Sequence, residues 1–271
     1  FFRAFFELDL LCVPGRLALL IAGALAVIAS FGLLLPLMFN HKYHVLNALP
    51  TPGLYREAVL ADKLLFVCLS MAISGFVTAI QWQSLFPERT DLLILSPLPL
   101  RRRQIFTAKF VALLLFVSTF IVATNLLPSA SLPGVMDGRW LARQSTWLHM
   151  GSHFAACSAA AYFVFFCLVG AQGILMNLLP ASLFHRVSLY CQIALLTVLL
   201  CIMPLLLWIP DLHALMTTRP AVAFWLPPIW FLGLYESILG TADEFGVQLG
   251  NMALAGTTTV LLLAMLLYAV T

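Results

Sequence analysis

Two histidines and a few carboxylates are the side chains best placed to do chemistry. His149 and His153 lie four apart in HMGSH, which sets two imidazoles on one helix face. That spacing binds zinc when a third ligand arrives. No HExxH pattern is present and no acidic residue is near in sequence. The plainer alternative is a pair of interfacial histidines hydrogen-bonded to headgroups or loops, so His149 and His153 stay weak metal candidates and no metal is assigned. Glu236, Asp243 and Glu244 cluster further along and read as a solvated acidic rim. No Ser-His-Asp or paired-carboxylate arrangement is legible, and no catalytic residue is assigned.

Phosphate chemistry is also missing. A nucleotide-cradling GxxxxGK[ST] loop needs a lysine after glycine. Lys42, Lys63 and Lys109 are the three lysines, and none fits. If ATP is used, another chain or domain must bind it. The six cysteines lie in or beside apolar runs without a CxxC pair, and read as small buried hydrophobes.

The densest polar signal is residues 82–103, WQSLFPERTDLLILSPLPLRRR. Pro87 breaks the preceding apolar run. Thr90 is a plausible N-cap, and Asp91 in the first turn suits the helix dipole. Leu92, Leu93, Ile94 and Leu95 supply an apolar face, and Pro97 and Pro99 end the helix. Arg101, Arg102 and Arg103 anchor the following run at the headgroups. The expectation is a short helix lying crosswise at the membrane surface, pinned at both ends and able to pass force from a soluble partner to two spans. An ordinary basic cytoplasmic loop is the alternative.

The elements that must position these residues are membrane helices. The chain of 271 residues is 62% hydrophobic and 9% charged, with mean hydropathy +1.02. A soluble domain carries about 25% charged residues, so the composition indicates an all-α integral membrane protein. Barrel strands would show dyad alternation rather than long apolar runs. The net charge of +3 is too small to suggest nucleic acid, and suits an anionic leaflet or an acidic protein surface.

Six stretches approach the roughly 20 apolar residues of a span: about 17–39, 64–80, 105–127, 154–179, 187–209 and 252–270. They form one six-span domain over 1–271. The opening on Phe1 suggests a piece of a longer protein. Residues 1–16, FFRAFFELDLLCVPGR, read as an interfacial amphipathic helix. Residues 217–250 are apolar but broken at Pro220, Pro227, Pro228, Gly233 and Gly240. They read as two short helices dipping in from the outer side, with a kinked seventh span at about 221–239 as the alternative. Lys and Arg density over 89–109 places both termini in the cytoplasm. The spans hold only uncharged polar groups, Gln81, Asn125, Gln172, Asn177 and Gln192, expected to bond between helices. The scarcity of intramembrane charge argues against an ion-driven carrier.

The amphipathic N-terminal stretch, the segment LFPERTDLLILSPLPLRRRQIFTAKF between the second and third spans, and LPPIWFLGLYESILG before the last span together resemble the membrane subunit of an ATP-binding-cassette exporter of the type-2 class. The resemblance covers nearly the whole chain in topology, and 82–103 is its most specific motif. It implies a permease in a cell membrane, such as a bacterial inner membrane, moving an amphipathic or lipid-like substrate. The partners implied are a cytoplasmic ATPase subunit carrying ATP and Mg, a second six-span half or homodimer mate, and membrane lipid. Phe86, Pro87, Glu88, Arg89, Asp91, Leu92, Leu95, Pro97 and Pro99 would contact the ATPase. The turn 180–186 would be a lesser contact, and residues 1–16 a connecting helix. Pro227, Pro228 and Trp230 would shape an outer gate. No large extracellular domain is present. A membrane-embedded enzyme using His149, His153 and Glu236, or a structural subunit of a larger membrane complex, are the alternatives.

Overall fold

The computed structural model describes residues 16–86, 102–140, 145–206 and 221–270. Seven α-helices occur there: α1 (Arg16–Ala48), α2 (Pro52–Ile80), α3 (Arg102–Val135), α4 (Thr146–Leu178), α5 (Ala181–Leu206), α6 (Pro227–Leu239) and α7 (Glu244–Val270). Short 3-10 turns lie at Trp82–Ser84 and Ala221–Trp225, and no strand occurs among the described residues. Five stretches, Ile21–Ala48, Pro52–Ile80, Gln104–Val135, Thr146–Leu178 and Glu244–Tyr268, are long and apolar enough to cross a membrane. In lipid every backbone N–H and C=O must be satisfied internally, which selects helices for such runs. The chain is therefore an integral membrane protein.

Several helices extend well past their apolar centres, and this corrects the sequence reading. The second starts at Pro52 rather than near Leu64, with Thr51 before it and proline in its first turn, where the missing N–H costs nothing. The first continues to Ala48 and carries His41, Lys42 and His44 on a helix rather than a loop. Asp62 and Lys63 thus belong to a spanning helix, 5% and 3% exposed. The expectation that the spans hold only uncharged polar groups is overturned.

Helix α4 is the hub, packing against α2, α3, α5, α6 and α7, while α1 leans on α3. Two apolar cores stack along it. One joins Trp82, Leu85 and Phe86 to Leu113, Phe165, Val169 and Tyr268. The other, toward the opposite end, joins Tyr43, Tyr55, Val67, Met136, Cys157 and Phe231. Side-chain hydrogen bonds cross between helices: Ser70 Oγ donates to Cys157 O at 2.9 Å and Ser74 Oγ to Ala161 O at 2.8 Å. Asn125 Nδ2 donates to Ser70 Oγ and Gln192 Nε2 to Ala79 O, both at 2.9 Å. Each such bond in a membrane bundle is worth about 0.6 kcal/mol. Pro128 inside α3 is accommodated by Gly32 of α1, where an added Cβ would sit 2.9 Å from the proline ring. The surfaces of α1, α5 and α7 expose Phe31, Met38, Tyr190, Leu200 and Leu262, as a lipid-facing surface does.

Residues 221–250 resolve into a 3-10 turn, one 13-residue helix, α6, and the start of α7. At about 20 Å it is too short for a hydrocarbon core of about 30 Å. Its end is capped by Gly240 at φ 76°, where Thr241 N–H returns to Glu236 O at 2.9 Å, a left-handed stop that glycine adopts without a Cβ clash. Asp243 then caps α7, accepting from Gly246 N–H at 2.8 Å. Helices α6 and α7 pack as a hairpin on glycines. A Cβ on Gly233 would lie 2.6 Å from Gly246 O and 2.7 Å from Leu249 Cβ. Trp230 reaches Gly256 of α7, about 18 Å along that helix from Glu244, so α6 begins deep in the bundle and climbs to its end.

Candidate functional site

Asp62 and Lys63 are adjacent, so on α2 they project about 100° apart and meet different helices. Lys42 Nζ of α1 donates to Asp62 at 2.8 and 2.9 Å, and Tyr43 O–H donates to the same carboxylate at 2.6 Å. Lys63 turns the other way. Its Nζ donates to Glu236 Oε1 of α6 at 2.6 Å and lies 4.6 Å from the Tyr235 ring centroid. The Lys63 and Glu236 side chains are 4% and 12% exposed. Thr241 O–H donates to the second Glu236 oxygen. Glu236 is thus a largely enclosed, paired carboxylate, which corrects its reading as part of a solvated rim.

Helix α4 brings His149 and His153 to the same place. Both make T-shaped ring contacts with Tyr235, at centroid distances of 5.9 and 5.4 Å. His153 is fully buried; its Nδ1 lies 3.3 Å from Tyr235 Oη and its ring packs on Phe66. His149 is 9% exposed, and its Nε2 has no hydrogen-bond partner. The pair lies on one helix face, as the spacing predicts, and both histidines are packed within the bundle. Among the described residues no group of three or more His, Cys, Asp and Glu side chains is arranged to hold a metal ion.

A cavity of about 330 Å³ opens here, between the start of α2, the end of α3, the start of α4 and the end of α6. Lys63, Glu236 and His149 form its polar floor, with Arg56 and Asp137 exposed in its lining. Val59, Leu60, Met136 and Leu239 make its walls apolar. The segment after α3 is held by Tyr55, whose O–H donates to Met136 O at 3.0 Å. The Tyr55 hydroxyl comes so close to Gly138 that no larger residue fits there unshifted. Arg139 donates to Leu49 O at 3.2 Å and stacks 4.4 Å from the Trp140 ring centroid. This fixes Trp140 at the cavity wall, where its buried indole Nε1 has no hydrogen-bond partner. From Lys63 to Ile80 α2 rises about 26 Å, so the cavity sits near one boundary of a hydrocarbon core about 30 Å thick.

The other predicted site residues lie elsewhere. Phe86 is at the far end of the bundle, 2% exposed and stacked on Tyr268 at 4.6 Å. It is a packing anchor and not a solvent-facing contact. Tyr268 O–H donates to Leu85 O, and Trp82 Nε1 donates to Ser188 Oγ at 2.7 Å. Pro87, Glu88, Arg89, Asp91, Leu92, Leu95, Pro97, Pro99 and Arg101 lie outside the described residues, as does the N-terminal amphipathic stretch up to residue 15. Arg102 and Arg103 open α3, and their side chains lie outside the described ones. Pro227 and Pro228 occupy the first turn of α6, and Trp230 Nε1 donates to Phe224 O at 3.2 Å. These three belong to the half-buried start of α6, away from the cavity.

The sequence reading missed the Lys63–Glu236 pair because it began the second span too late, at residue 64 rather than Pro52. The signal was Thr51-Pro52, a helix start that places Asp62 and Lys63 within the helix. Comparison with protein-family models, with curated proteins and with solved structures finds no match.

Proposed function

We propose that this chain is the membrane-embedded subunit of an ATP-driven exporter of the type-2 ATP-binding-cassette class, moving an amphipathic or lipid-like substrate. ATP and Mg belong to a separate cytoplasmic ATPase that engages the segment 82–103. The observation that most supports this reading is α6: a short, proline-started helix that begins deep in the bundle and ends beside a polar cavity. Broken helices of this kind are tolerated at membrane depth only where packed in protein or lining a cavity. The residue order around 82–103 supplies the rest, because the chain has no phosphate loop of its own.

In this reading α5, 26 residues and about 39 Å long, is a further span and makes six. Both termini and 82–103 face the cytoplasm, and the cavity faces outward. Two such units, from a second half or a homodimer mate, frame the path. Trp82, Leu85 and Phe86 tie the start of the coupling segment to Tyr268 and Ser188, so a push on it reaches α5 and α7 together. The test is purification of the tagged full chain from its native membrane. The proposal expects an ATPase subunit to accompany it in stoichiometric amount; its consistent absence in mild detergent counts against the assignment.

A second reading, a membrane-embedded enzyme acting on lipid intermediates, draws on His149 and Glu236 sharing one cavity. It requires a proton-transfer or metal role, and metal lost from the purified protein after His153→Ala would favour it. The Lys63 ammonium already engaged with Glu236 disfavours that carboxylate as a general base.

A further inference from the structure

We infer that the cavity between α2, α4 and α6 is a binding site for a zwitterionic, phosphate-bearing lipid headgroup of the phosphoethanolamine class. Two buried nitrogens in its wall lack partners, Trp140 Nε1 and His149 Nε2. A buried donor without an acceptor costs about 1–3 kcal/mol, so the site is built for a group that accepts. Indole N–H can only donate, and His149 donates in its Nε2–H tautomer. An oxyanion satisfies both.

The charges define the rest of the ligand. Lys63 and Glu236 neutralise each other within the cavity. Arg56 and Asp137 remain at its exposed edge, and among the described residues neither makes an ion pair. A simple anion would gain Arg56 but be repelled by Asp137. A headgroup with a phosphate and a neighbouring ammonium matches both, with phosphate toward Arg56, Trp140 and His149 and ammonium toward Asp137. Trp147, 80% exposed at the start of α4, suits the headgroup level where tryptophan concentrates.

The inference deepens the exporter reading by naming the polar part of the substrate, and it rests on that reading only for the step from binding to transport. Binding is measured without any ATPase, so the two can fail separately. The full-length protein in detergent is titrated with dihexanoyl phosphatidylethanolamine, dihexanoyl phosphatidylglycerol or inorganic phosphate while its thermal unfolding is followed, since a ligand of the folded state stabilises by mass action. The ethanolamine lipid is expected to stabilise saturably and more tightly than the other two. W140F, which deletes one donor and keeps an aromatic ring, and R56Q, at an exposed position, should each weaken it about ten-fold, the loss typical of one hydrogen bond to a charged group. D137N should abolish the preference over the glycerol lipid. Ligand-free unfolding should stay unchanged in R56Q and D137N, which marks them as properly folded. Equal affinity for all three probes, no saturable binding of any, or native affinity in both W140F and R56Q would overturn the inference.

Discussion

Lys63 of α2 donates to Glu236 of α6 at 2.6 Å, across 173 residues of chain, with both side chains nearly closed to solvent. This pair fastens the short helix to a spanning one at the cavity floor. Its energetics are asymmetric, because an isolated buried charge is far costlier than a paired one.

Removing one partner should therefore hurt more than removing both. Lys63→Met is expected to destabilise by about 3–5 kcal/mol, the cost of leaving an uncompensated buried charge. The double variant K63M/E236M should recover most of that loss. Thermal unfolding of the four proteins of the cycle measures the coupling; additive losses would deny that the two side chains act as a unit.

The α6–α7 hairpin depends on Gly233. A Cβ there meets Gly246 O and Leu249 Cβ inside contact distance, and backbone cannot yield as a flexible side chain can. Gly233→Ala is expected to cost about 1–3 kcal/mol, the usual penalty of overpacking. Gly23→Ala in α1, where nothing lies within 4 Å, should be neutral or stabilising by up to about 1 kcal/mol. Unfolding temperatures of the two variants in one detergent compare them directly.

The far end of the bundle is held by aromatics. Phe86 stacks on Tyr268, which also receives Phe110 at 5.0 Å. Phe86→Ala should destabilise by about 3–5 kcal/mol, as large-to-small aromatic changes in packed cores do. It should also loosen the start of the proposed coupling segment. Limited proteolysis within 87–101 is the readout, and cleavage faster than in a comparably destabilised variant at the cavity end is expected.

Composition made the membrane class legible, and the break at Pro227–Pro228 marked a helix too short to cross. The i, i+4 spacing put His149 and His153 on one face correctly. Burial of the two histidines was not legible, since it depends on Tyr235, brought to α4 from 82 residues away. Nor was the ion pair, because Lys63 and Glu236 each sit at the polar fringe of an apolar run, where a loop and a buried helix end have the same composition. Helix ends were underestimated for one physical reason: apolar periodicity stops at the lipid boundary, whereas backbone hydrogen bonding continues through Lys42, Asp62 and His149 on protein contacts. The proposed coupling residues Glu88, Arg89 and Asp91 lie outside the described residues, so the role proposed for them rests on their order in the chain.

That role is open to one decisive measurement. The full chain is reconstituted in proteoliposomes with the ATPase that the exporter proposal expects to accompany it, and substrate-stimulated ATP hydrolysis is compared between the native protein and the double variant D91A/L95A. The account predicts that assembly and basal hydrolysis persist while stimulation and transport fall together, because the substitution removes the first-turn carboxylate and part of the apolar face proposed to receive the ATPase's motion. Native stimulation and native transport in that variant would contradict it.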